Sequence, residues 1–100
     1  MIYKFKSKAT GDLLMLGPNG DQLLRVVGRE PAPRGIFEVV DMPALIGALQ
    51  AAVAADEAAR SEADGDPERP GAVSLRQRVW PMVEMLRRAH AAGEPVVWGV

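Results

Sequence analysis

The sequence predicts a small α+β fold: a sheet of three to four short strands covered by two to three helices, in the order β-β-α-β-α-α-β. Three observations carry this expectation. Residues Ile2 to Ser7 alternate with period two, Tyr3 and Phe5 to one side and Lys4 and Lys6 to the other, as in a strand with one buried face. Leu45, Ile46, Leu49 and Val53, and then Leu75, Val79, Met82, Val83 and Leu86, recur at helical spacing. Glycine and proline punctuate the chain between these segments.

After the first strand, Ala9-Thr10-Gly11 supplies a turn, and Asp12 to Leu16 is an apolar run that reads as the second arm of a hairpin. A helix starting near Asp12 competes for residues 12–16, because Leu and Met favour helix. Gly17-Pro18-Asn19-Gly20 breaks the pattern. Asn19 with Gln22 three residues on suggests a capped helix of about two turns that ends at Gly28. Pro31 and Pro33 stiffen the next connection, and Ile36 to Val40 is β-branched and aromatic, a third strand. Asp41 then caps an alanine-rich helix to about Arg60, with Pro43 in its first turn. Residues 61–71 are acidic and rich in breakers, and read as a mobile loop within a single domain of residues 1–100. Ser74 opens the last helix, whose stripe continues to His90, with a kink near Gln77 or Val79 expected from Pro81 and a stop at Gly93. Val96 to Val100 closes the chain as a strand, with Trp98 near its end.

Composition excludes more than it selects. The 100 residues contain no cysteine and one histidine, which removes disulfides, thiolate metal sites, a cysteine nucleophile and multi-histidine sites. Twelve basic against 13 acidic residues leave a net charge of −1 and no bulk attraction to nucleic acid or anionic membrane. The longest stretch without charge, Val39 to Ala55 once Asp41 is set aside, falls short of the roughly 20 apolar residues of a membrane span. The N-terminus has no signal-peptide core, so the chain is expected to be cytoplasmic.

Candidate functional residues are few. Gly17, Asn19 and Gly20 at a helix start could expose backbone N–H groups to an anion or nucleotide, with Lys4 or Lys6 assisting. A nucleic-acid clamp at that loop would need Arg34, Arg76, Arg78, Arg87 and Arg88 on the same face, and Asp21 beside the loop opposes it. Lys4, Lys6 and Lys8 read more simply as a solvated strand face. The spacing of Asp56, Glu57, Asp64 and Asp66 fits no calcium loop. His90 lacks an indicated partner for acid–base work and suits a helix end. Trp80, Met85 and Trp98 lie off the clear core stripe and form the expected interface, with Trp98 on an edge strand able to pair across a homodimer.

The N-terminal run from Met1 to Asp12, together with Gly17-Pro18, Gly20-Asp21, Gly35-Ile36, Arg78, Trp80-Pro81 and Val97-Trp98-Gly99, resembles a family of small bacterial proteins catalogued as domain of unknown function 1840. The resemblance spans nearly the whole chain and implies a cytoplasmic protein of this size, with no activity or site residues to carry over. The functional expectation is therefore a non-catalytic protein-interaction or regulatory domain that self-associates or binds a protein partner. No cofactor, metal, membrane or nucleic acid enters it. Binding of a small anionic ligand at Gly17–Gly20 is the alternative.

Overall fold

The computed structural model describes residues 2–63 and 75–99. Strands β1 (Ile2–Lys6), β2 (Leu13–Leu16), β3 (Gly35–Phe37) and β4 (Val96–Trp98) form one antiparallel sheet in the order β2-β1-β4-β3. Helices α1 (Gly17–Val26), α2 (Met42–Ala63) and α3 (Leu75–Ala92) complete the α+β fold in the expected element order. The expected mobile loop at 61–71 begins with three residues that continue α2, and the rest of it lies outside the described residues.

The β1–β2 hairpin settles residues 13–16 as strand, with Ile2 opposite Leu16, Tyr3 opposite Met15 and Lys4 opposite Leu14. Tyr3, Phe5 and Met15 therefore point inward, and Ile2, Lys4, Leu14 and Leu16 point outward. β2 runs into α1 without a loop. Leu16 keeps an extended backbone as the residue before the helix, and Pro18 sits in the first turn, where its fixed φ is already helical. Asn19 is thus inside the helix, and no side chain caps it.

Both glycines expected to stop helices do so by the same device. Gly28 (φ 82°) and Gly93 (φ 69°) adopt left-handed backbone. The N–H of Arg29 reaches back to the Leu24 carbonyl, and that of Glu94 to the Ala89 carbonyl, closing each helix with a Schellman motif.

The third strand is shorter than expected. The chain leaves β3 at Phe37 and forms a 3-10 turn, Val39–Asp41, before α2. Asp41 belongs to that turn, and its carboxylate lies 4.0 Å from the Arg29 guanidinium. α3 carries Pro81 inside one continuous helix.

The core lies between the sheet and the helices. Tyr3, Phe5, Phe37 and Trp98 cover the inner sheet face in mutual contact, with ring centroids from 4.8 Å (Phe37–Trp98) to 6.3 Å (Phe5–Phe37) apart. Against them pack Leu23 and Leu24 of α1, Met42, Leu45, Leu49 and Val53 of α2, and Val79, Met82, Val83, Met85, Leu86 and Ala89 of α3. Two glycines make room for rings: a Cβ on Gly20 would stand 2.1 Å from the Tyr3 ring, and one on Gly35 would stand 2.3 Å from Trp98. By length and composition alone, Val39–Ala59 could cross a membrane. In the fold its Met42, Leu45, Leu49 and Val53 stripe is a buried core face.

Candidate functional site

The residues expected at an interface divide. Trp98 is buried, because β4 is an inner strand bonded to β1 and β3 and not the edge strand expected. Its indole N–H donates to the Ala32 carbonyl at 3.1 Å and holds the proline-containing connection against the sheet. Met85 is buried as well: α3 packs against both α2 and the hairpin, so its covered arc is wider than one stripe. Trp80 alone stays half-exposed, with the guanidinium groups of Arg76 and Arg87 at 5.0 and 5.6 Å from its ring. His90 is exposed, and the buried stripe ends at Ala89.

The residues of the anion-site expectation do not converge. Gly17 and Gly20 are buried in the first turn of α1, Gly20 against the Tyr3 ring. Lys4 and Lys6 point to the opposite side of the sheet from Tyr3, with Lys4 3.6 Å from Asp12. Lys6 also stands at the far end of β1 from Leu16, roughly 13 Å along the strand. The arginines spread likewise. Arg76 pairs with Glu57 (3.4 Å), Arg87 with Glu84 (3.5 Å), Arg78 donates to Gln22 (3.3 Å), and Arg88 borders a cleft of about 250 Å³ beside the hairpin turn. Arg34 lies before β3. Among the described residues no group of three or more His, Asp or Glu side chains could hold a metal ion.

The Tyr3 hydroxyl donates to the Asp21 carboxylate, which ties β1 to α1. Burial, the hydrogen bond and the negative charge of Asp21, in that order, push the Tyr3 phenol up to about 12, with Arg25 opposing. This acid is therefore occupied in holding the fold, at the position where it would repel an anionic ligand.

Among the described residues, what the fold leaves open is the other face of the sheet. Ile2, Leu14 and Leu16 are 61–63 % exposed there, side by side through the Ile2–Leu16 pairing. Ile36 extends the apolar surface across the sheet beside half-buried Val97, its cross-strand partner. Lys4 and Lys6 lie between these two apolar areas. A cleft of about 360 Å³ lined by Lys6, Ser7, Lys8, Glu94, Pro95 and Val97 borders this face. Leu14 and Leu16 were not among the residues expected at a site. The signal was present: four consecutive apolar residues in a strand must leave two facing outward unless both sheet faces are covered.

An α+β domain with one sheet face free of helices among the described residues, in part apolar and in part lysine-bearing, is the class of protein these elements define. The chain belongs to the family described as Domain of unknown function (DUF1840), whose sequence profile matches residues 1–98. Neither a curated protein nor a solved structure matches it.

Proposed function

We propose that this chain is a small cytoplasmic protein-interaction or regulatory domain without catalysis, and that its docking surface is the helix-free sheet face bounded by β2. One observation carries the reading: Leu14 and Leu16, in a terminal strand of the sheet, leave more than half of their surface in water. Burying a leucine side chain is worth about 1.5–3 kcal/mol. Interior positions in this fold are filled by apolar side chains, with no buried polar or charged residue among those described. Exposed leucines beside an unpaired strand edge are therefore out of keeping with the rest of the molecule, and a partner seated there would cover them.

The test is trapping in cells with a photoreactive side chain placed at Leu14 or at Leu16, and at Val40, in the 3-10 turn after β3, as an exposed control outside the sheet. The reading expects one discrete protein adduct from Leu14 and Leu16 and none from Val40. No adduct from either leucine, or the same diffuse pattern from all three positions, contradicts it.

A further inference from the structure

The two edges of the sheet are built differently. β3 is three residues long, and the Arg29 guanidinium donates to its Ile36 carbonyl, so that strand already carries a charged side chain against its backbone. β2 is Leu-Leu-Met-Leu, flanked by Asp12 and Pro18 but without a charge, a proline or an interruption of its register with β1 inside the strand. Among the described residues no strand pairs with the outer edge of β2, and an unpaired apolar edge is the sheet feature that folded proteins most consistently protect. We propose that β2 pairs with β2 of a second copy of this chain, antiparallel about a two-fold axis at Met15, giving a continuous eight-stranded sheet. The proposal rests on the interaction-domain reading and names its partner.

Register selects this arrangement. Opposed residues in antiparallel strands share a face, so only pairings that set even positions against even positions keep Leu14 and Leu16 on the open side. Centring on Met15 sets Leu14 opposite Leu16 of the second copy, and the Ile2 side chains flank the four leucines. Centring on Leu14 would set the Asp12 carboxylate opposite Leu16, and centring on Leu16 would set Leu14 opposite Pro18, which lies in α1 and has no N–H to give. Charge does not oppose the pairing. Lys4 of each copy is compensated by Asp12 at 3.6 Å. The two Lys4 residues would be three strand spacings apart, roughly 14 Å and beyond the screening length of about 8 Å.

Ile2, Leu14 and Leu16 together expose on the order of 350 Å² per copy, against about 800 Å² per partner in a standard interface. The strand backbones and the rim add to this, an area that suits a dimer reversible on dilution and falls below that of obligate ones.

The chain has no cysteine, so introduced thiols report contacts without interference. Opposed Cβ atoms lie roughly 4.5–5.5 Å apart, close to disulfide reach. An equimolar mixture of Leu14→Cys and Leu16→Cys proteins, oxidised gently, is expected to form mixed disulfide dimers several-fold faster than either variant alone or than Val40→Cys. In parallel, the wild-type chain is expected to sediment as a dimer at about 100 µM and to dissociate on dilution. The Leu14→Lys/Leu16→Lys variant is expected to remain monomeric, association weakened ~100-fold or more, with circular dichroism and Tm matching those of the wild-type chain diluted to its monomer. A wild-type monomer at that concentration, or a dimer indifferent to the double substitution, overturns the proposal. If the monomer nonetheless gives a discrete Leu14 adduct with a different protein in cells, self-pairing fails and the interaction domain stands. A monomer with no adduct overturns both.

Discussion

Gly20 and Gly47 make the residue scale concrete, because the same substitution has opposite expected effects at the two. A methyl group on Gly20 would enter the Tyr3 ring, which is rigid and held by its hydrogen bond to Asp21. Overpacking of this kind costs about 1–3 kcal/mol, more than the ~1 kcal/mol of helix propensity gained. Gly20→Ala is therefore expected to lower stability in urea titrations. Gly47 lies on the exposed side of α2, with nothing within 4 Å of an added Cβ. Gly47→Ala is expected to raise stability by up to ~1 kcal/mol. Tyr3 itself gives a pH prediction. Its folded pKa lies above the ordinary 10.0, at about 12, so the fold favours the neutral phenol. That contribution is fully present below pH 10 and is lost as pH climbs from 10 toward 12. Tyr3 is the single tyrosine, so tyrosinate absorbance reads it directly. A midpoint near 10, with stability flat across the window, would contradict the burial and the Asp21 bond.

Among the elements, α3 carries the clearest internal conflict. Pro81 has no N–H for the carbonyl of Gln77, four residues back, yet the helix continues through it from Leu75 to Ala92. The Val79, Met82, Val83, Leu86 and Ala89 face is fixed by α2 and the sheet, and this tertiary contact sustains a turn that local propensity disfavours. Because Pro81 is exposed, Pro81→Ala is expected to raise Tm, by roughly 1–3 kcal/mol of stability, without changing the fold. A lower Tm would mean that the ring's contacts beside the hairpin turn outweigh the missing hydrogen bond. Element by element, local signals were readable from sequence where the physics is local. The alternation of Tyr3 and Phe5, the stop glycines Gly28 and Gly93, and the apolar face of α2 all appear as expected. Signals that depend on long-range pairing were not readable in this way. Trp98 reads as an edge residue until β1 and β3 are known to close on both sides of β4. Met85 falls off a one-sided stripe until α3 is known to touch two neighbours. Leu14 and Leu16 are undivided members of an apolar run until the helices are known to cover only one face.

For the whole molecule, the described residues form two layers with one layer's outer surface in water. The helices cover the aromatic face of the sheet, and Ile2, Leu14, Leu16 and Ile36 remain outside. This moves the expected interface from Trp80, Met85 and Trp98 to the β2 side of the sheet, and it retains self-association as the proposed behaviour. The small-residue face of α2 (Ala44, Gly47, Ala51, Ala54, Ala55) is also exposed, but nothing there resembles an unpaired edge. Amide hydrogen exchange of the wild-type chain at low and high protein concentration reads directly whether β2 is covered by β2 of a second copy. The β2 amides facing away from β1 are expected to slow markedly at about 100 µM, while those at the β3 edge exchange at the same rate at both concentrations. Exchange in β2 that is fast and independent of concentration would contradict this pairing.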